Sequence, residues 1–373
     1  EMFKFIESNK YVYNILIDQT KSWWGQSIDS KIIKKFINVY IKYMKNDKET
    51  NQIIRTVKEL FMKNIKNNRE LSILIDKYLI PQELEKKSNA EVSTPFKLRK
   101  EMLNRIPDNF WTSKKKVFEP CSGKGGFIID IIDKFMNGLK GTIPDEKERY
   151  KIIVEECLYF SDINSTNIFI CKLLTDPYNE YLLNYNEGNT LELDIKDKWG
   201  IEGFDAVIGN PPYNSSGDTG TGNTIWQDFT KVSLNKLLTN NGYLLYVHPP
   251  GWRKPNTERG KFYGLYKLMT QENQMIYLSI HGIKDGKQLF NCGTRYDWYL
   301  IQNKSKHTTT IVDDEKNNRL VIDMNHFNWL PNYNISTIQN ILAKENDDKC
   351  IILYDRTSYG ADKKDRVSKI KTE

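Results

Sequence analysis

Apolar residues along the chain follow two different periods, and the change from one to the other divides it. Up to about residue 88 they recur every three to four positions. Ile33, Phe36, Ile37, Tyr40, Ile41 and Met44 share one helical face, Ile54, Val57, Leu60, Phe61 and Ile65 share another, and 71–79 give a third, shorter segment. Glycine is almost absent there and Pro81 marks a stop, so residues 1–88 read as a helical N-terminal domain or arm. From Val117 onward short apolar runs alternate with helical stretches. Runs at 116–119, 157–161, 204–208, 243–248, 275–281 and 296–302 predict strands, while 128–135 and 226–238 predict helices. Strand and helix in alternation imply an α/β fold, with a mostly parallel sheet covered by helices on both faces. Ligands of such a sheet sit at the carboxyl ends of its strands.

Two inserts interrupt the alternation. Residues 137–150 are polar and predict a surface excursion, and 214–224 form a Gly/Ser/Thr/Asn loop without rigidity of its own. The expected domains are 1–88, a central 89–330, and 331–373. The last carries a helix candidate at 336–343, a short strand at 350–354 and a basic tail, and reads as the start of a further module. No stretch approaches the roughly 20 apolar residues of a spanning helix, so a membrane protein is not expected. The chain opens Glu1-Met2-Phe3-Lys4 with no apolar signal core, and reads as a piece of something longer.

Composition narrows the class. Aromatics at 12% exclude disorder across the chain. Five cysteines without a C-x-x-C pair and four scattered histidines argue against a zinc site; no metal is expected, and reduced thiols imply an intracellular, cytoplasmic protein. The net charge of +7 is mild, so its distribution matters more. Trp252, Arg253, Lys254, Arg259 and Lys261 interleave aromatic and basic side chains, a mixture suited to phosphate contact and base stacking.

Chemistry concentrates behind three strands. Strand 116–119 ends in Glu119, and the turn Cys121-Ser122-Gly123-Lys124-Gly125-Gly126 leads into a helix near Phe127. Glycines there let the backbone approach a ligand without Cβ atoms in the way. The next strand ends at Asp162, where nucleotide-binding sheets hold a ribose diol. The glycine spacing departs from the dinucleotide fingerprint and implies a nucleoside cofactor without a pyrophosphate. The third strand, Phe204-Asp205-Ala206-Val207-Ile208-Gly209, runs straight into Asn210-Pro211-Pro212-Tyr213, a tetrapeptide placed where the active site of such a sheet must be.

Together these residues resemble the S-adenosylmethionine-dependent N6-adenine DNA methyltransferases of restriction-modification systems, over about 90–304. The resemblance implies a Rossmann-like class I methyltransferase sheet. It places Thr94, in Glu91-Val92-Ser93-Thr94-Pro95, at the methionine end of S-adenosylmethionine, with Glu119, Gly123, Gly125 and Phe127 as the glycine motif. Asp162 becomes the ribose acid, Ile163 the apolar neighbour of the cofactor adenine, and Asn189 and Thr190 further cofactor residues. Asn189 stands where the family has an acid, and its carbonyl can still accept a hydrogen bond from an adenine amino group. Two fixed acceptors, the Asn210 side-chain oxygen and the Pro211 carbonyl, would draw the target amine toward tetrahedral geometry, on a loop that consecutive prolines stiffen. Tyr213 would stack on an adenine flipped from double-stranded DNA, with Phe290 as its second wall and Tyr296 the rival for that place. The basic-aromatic cluster would then face DNA. The same tetrad also occurs in enzymes that methylate the glutamine amide of translation release factors. RNA adenine is a further alternative, and a methyltransferase fold kept as a non-catalytic scaffold is another.

Overall fold

The computed structural model describes residues 92–343 and 347, apart from 177–179, 216–223, 256–257 and 292. The expected helices of 1–88, the middle of the 214–224 loop and the strand at 350–354 lie outside the described residues. The chain divides after Tyr333 into two units. In the first, α1 (Phe96–Leu103) precedes β1 (Val117–Glu119), α2 (Gly126–Gly138), α3 (Glu146–Ile152), β2 (Leu158–Asp162), α4 (Ser165–Thr175), β3 (Asn184–Glu187) and α5 (Ile195–Trp199). Then follow β4 (Phe204–Gly209), α6 (Trp226–Val232), β5 (Leu238–His248), α7 (Leu265–Lys267), β6 (Gln274–His281), α8 (Ile283–Phe290), β7 (Tyr296–Gln302), β8 (Thr310–Asp313) and β9 (Arg319–Ile322). In the unit that starts at Asn334 the described residues form one helix, α9 (Ile335–Ile341).

All nine strands join one sheet in the order β3-β2-β1-β4-β5-β7-β6-β8-β9. The first five are parallel, β7 runs antiparallel between β5 and β6, β8 is parallel to β6, and β9 closes the edge antiparallel to β8. From β1 the chain steps outward through β2 to β3, then returns to β4 on the other side of β1. Crossovers of parallel strands are right-handed, so α2, α3 and α4 cover one face of the sheet and α5 and α6 the other. Side chains confirm two covered faces. Val117 packs into the cluster that holds Ile128, Ile131 and Ile132 of α2. Its neighbour Phe118 points the opposite way, stacking on Phe204 at 4.6 Å and meeting Trp199 of α5 edge-on at 5.8 Å.

All six expected strands are present. β3, β8 and β9 were not anticipated, because the four residues of each offer too little apolar pattern: β3 is Asn-Tyr-Asn-Glu and only half-buried. The 137–150 excursion is more ordered than its polarity predicts. It contains the start of α3, capped by Asp145 Oδ1 accepting from the Glu148 amide at 2.7 Å, and its turn is clipped by the buried Arg149, whose Nη1 donates to the carbonyls of Ile143 and Pro144. The 226–238 helix is shorter than expected, since α6 opens into a wider π-helical turn at Ser233–Leu237 before β5. Among the described residues no helix is long and apolar enough to cross a membrane.

One glycine sets how closely α2 meets the turn at Asp108–Thr112. A Cβ on Gly138 would lie 2.3 Å from the Trp111 carbonyl oxygen, a backbone atom with nowhere to go. Gly138→Ala is expected to cost roughly 1–3 kcal/mol by overpacking and to lower Tm by several degrees, measured by thermal unfolding.

Candidate active site

The reversal of strand order between β1 and β4 opens a crevice at the carboxyl ends of these strands. A cavity of about 430 Å³ lies there. Its first wall is the turn after β1. Gly123 (φ 50°) and Gly125 (φ 84°) adopt left-handed conformations that side chains with a Cβ resist, and this lets the chain turn sharply into α2. The second wall is Asp162 at the end of β2. Its Oδ2 accepts from the Gly123 amide and its Oδ1 from the Asn164 amide, both at 2.8 Å, so the acid is fixed against the turn. Burial raises its carboxyl pKa, although these hydrogen bonds oppose the shift. Next to it Ile163 is 68% exposed yet lines the cavity, an apolar surface left open to a ligand.

Thr94, Glu119, Gly123, Phe127, Asp162, Ile163, Asn189, Thr190 and Asn210-Pro211-Pro212-Tyr213 all border this one cavity. They come from segments up to 119 residues apart in sequence, from Thr94 to Tyr213 (213 − 94). Gly125 shapes the turn without reaching the wall. Three buried polar atoms here have no partner: Thr94 Oγ1, Glu119 Oε2 and Asn210 Oδ1. Buried polar groups are nearly always bonded, so three such atoms around one cavity point to a polar ligand. The Asn210 carboxamide has a fixed sense, because its Nδ2 donates to the Val92 carbonyl at 3.0 Å and Oδ1 is left as the acceptor. Burial pushes the Glu119 carboxyl well above its usual range. Arg99 pulls it back, while Asp162 and Asp130 add to the rise.

Several expected residues have other duties. Asn189 uses Oδ1 to accept from the Leu191 amide (3.1 Å) and Nδ2 to donate to Glu192 Oε1 (2.7 Å), so its carboxamide caps the short turn that follows. The buried Thr190 hydroxyl donates to the Pro120 carbonyl at 2.6 Å and lies 2.8 Å from Ser161 Oγ, tying three strand ends together. Phe290 lies outside the cavity wall. It packs edge-on to Tyr296 at 5.0 Å within the core, and Tyr296 stacks on His281. Phe229 of α6, Ile225, Leu191 and Val92 are further apolar residues on the wall.

Trp252 and Arg253 do not face solvent, contrary to the expected DNA contact. Arg253 forms a buried bidentate pair with Asp297 (2.6 and 3.1 Å) and donates to the carbonyls of Leu330 and Pro331 and to Asn332 Oδ1. A guanidinium so fully occupied holds β5, β7 and the 330–332 segment together. Trp252 is fully buried and stacks on Tyr266. Lys254, Arg259 and Lys261 are exposed.

Sequence reasoning missed Arg99, Lys124 and Asn167. Arg99 reads as one more basic residue of an amphipathic helix. Lys124, inside the glycine turn, was the better signal: its buried Nζ donates to Asn167 Oδ1 at 2.7 Å, on the cavity wall.

Residues 73–247 match the model of the N-6 DNA Methylase family. That segment is similar to the family's members. The chain is also similar to a curated relative, an uncharacterized adenine-specific methylase of Mycoplasma pneumoniae. It is 26% identical over 195 residues, covering 49% of this chain and 45% of the relative. Among solved structures, a DrdV–DNA complex superposes with a TM-score of 0.52 at 12% identity, over 81% of this chain and 36% of that one. A type I restriction-modification methyltransferase subunit from Streptococcus thermophilus gives 0.46 at 16% identity, over 73% and 56%. The chain thus spans about half or less of the length of these relatives. The expected α/β fold, a mostly parallel sheet with helices on both faces, is the fold observed.

Proposed function

We propose that the chain transfers a methyl group from S-adenosylmethionine to the N6 amine of adenine in double-stranded DNA, as the methyltransferase of a restriction-modification system in the cytoplasm. The observation that carries this reading is the Asn210 carboxamide, whose nitrogen is held by Val92 and whose buried oxygen is left without a partner, on a residue that borders the same cavity as Glu119, Thr94 and Asp162. The residues fit the cofactor. Asp162 stands for the ribose diol, Ile163 for the adenine face, and the partnerless Glu119 Oε2 and Thr94 Oγ1 for polar groups at the methionine end. Bound there, S-adenosylmethionine supplies an electrophilic methyl group on a sulfonium.

The chain's own part is to prepare the amine. An exocyclic amine is a weak nucleophile because its lone pair is delocalised into the ring. Asn210 Oδ1 and the Pro211 carbonyl each accept one of its hydrogens and stabilise the positive charge that develops on nitrogen, acting as preorganised dipoles in a water-poor site. Pro211 and Pro212 hold these acceptors in place before reaction. Tyr213 offers its ring to the base, which must leave the duplex at a cost of a few kcal/mol. Phe229 takes over the wall role expected of Phe290. The exposed Lys254, Arg259 and Lys261 are proposed to meet phosphates.

Incubation with labelled cofactor and either duplex DNA, structured RNA or a release factor, followed by nucleoside or peptide analysis, tests the assignment. Label in N6-methyladenine from DNA is the expected result. Label only in RNA or in a glutamine side chain overturns it. Asp162→Ala is expected to weaken S-adenosylmethionine binding by about tenfold or more in calorimetry, the loss of a charged hydrogen-bonding group.

A further inference from the structure

The 92–95 segment ahead of α1 is a strap whose first three residues line the cavity. It holds the catalytic asparagine at one end, through Val92 O, and presents Thr94 to the cofactor side at the other. Something must hold the strap. Arg99, one turn into α1, is buried at 2% exposure and bonds in two directions. Its Nη1 donates to the Thr94 carbonyl at 2.5 Å, and its Nε donates to Asp130 Oδ2 of α2 at 2.6 Å. The guanidinium lies flat against the first residue of α2, where a Cβ on Gly126 would sit 2.7 Å from Nη1 and 2.8 Å from Cζ. Gly126 does not have a positive φ, so its glycine identity answers to this close approach and not to backbone strain.

We infer that Arg99 is a positioning residue that pins the strap to α2, and through the strap fixes the Asn210 carboxamide in its accepting orientation. The linkage runs from Asp130 to Arg99, to the Thr94 carbonyl, along two residues of backbone to the Val92 carbonyl, and from there to Asn210 Nδ2. Without the Val92 acceptor, the two ends of the carboxamide lose the bond that distinguishes them, and the amide can present nitrogen where oxygen is needed. Only a planar fork can serve Asp130 and Thr94 at once; a lysine keeps the charge and loses the geometry. The Arg99 charge also opposes, without overcoming, the burial that favours the neutral form of Glu119, and so eases its ionisation when a cationic ligand binds. The inference rests on the methyltransferase reading and extends it to a residue outside the motifs.

Arg99→Lys and Gly126→Ala test it together. The first removes the fork, and the second displaces it with a methyl group while leaving Arg99 itself intact. Calorimetry with S-adenosylmethionine gives Kd and the fraction of binding-competent sites, and turnover on adenine-containing duplex is expressed per competent site at saturating cofactor. Each variant is expected to lower kcat per competent site by about tenfold or more and to raise Kd by roughly threefold or more, as loss of one charge-assisted hydrogen bond implies. A merely structural role moves the melting temperature or the competent fraction and leaves kcat per site unchanged. Values of kcat and Kd within twofold of wild type in either folded variant overturn the inference, as does a change in Kd alone. A wild-type chain that does not bind S-adenosylmethionine overturns the methyltransferase reading itself, a result distinct from a binding wild type matched by its variants.

Discussion

Asn210→Ala is expected to lower methyl transfer to DNA adenine by about a thousandfold or more while leaving S-adenosylmethionine affinity within about twofold. The asymmetry follows from where the side chain points. Its nitrogen is held by the Val92 carbonyl and its oxygen has no partner within the protein, so on the proposed reading removal takes away an acceptor used when charge develops on the amine. On the proposed reading cofactor recognition is left to Glu119, Asp162 and Ile163, which are untouched. Stopped assays with labelled cofactor give kcat, and calorimetry gives Kd. A kcat that stays near wild type rules out the carboxamide as the amine acceptor, and a matching collapse of Kd moves Asn210 from the chemistry to the cofactor site.

Glu119→Gln is the complementary change, expected to weaken S-adenosylmethionine by roughly a hundredfold with loss of a buried charge that faces a cationic ligand. Its pH dependence has a definite sign. Burial raises the Glu119 carboxyl well above its usual range, with Arg99 opposing and Asp162 and Asp130 reinforcing. Between the ordinary carboxylate range and that raised value the free protein holds Glu119 protonated, and a cation binds the ionised form. Affinity therefore rises with pH through the raised value, as binding releases the proton. The glutamine variant loses most of this slope; Asp162, also raised by burial, accounts for what remains. Calorimetry at several pH values measures it, and a wild-type affinity that is flat or falls with rising pH removes Glu119 from cofactor binding.

Much of the site was legible because its residues lie beside strands. A strand three to six residues long, ended by an acid or by Asn-Pro-Pro-Tyr, places those side chains at the carboxyl edge of a parallel sheet, and sheet topology brings the edges together. Glu119, Asp162 and Asn210 are legible for that reason. The errors share another cause. Trp252 and Arg253 have the composition of a nucleic-acid surface, yet whether a basic residue is exposed depends on what packs against it. Asp297, forty-four residues later, occupies Arg253 from within the sheet. Phe290 follows the same logic, since an aromatic residue after α8 serves a pocket or a core with equal ease, and Tyr296 draws it into the core.

The sequence by itself determined the alternation of strand and helix, six of the nine strands, and the identity of the groups at their ends, because these depend on local periodicity and on residues adjacent in the chain. Only the tertiary structure decided which end faces which. It set the antiparallel β7 between β5 and β6, left the Asn210 oxygen without a partner by engaging its nitrogen with Val92, and buried Arg99 between Thr94, Asp130 and Gly126. Apart from the bond between Arg99 and Thr94, five residues apart, these join residues distant in the chain. Their strength comes from burial and hydrogen-bond geometry that no local pattern encodes.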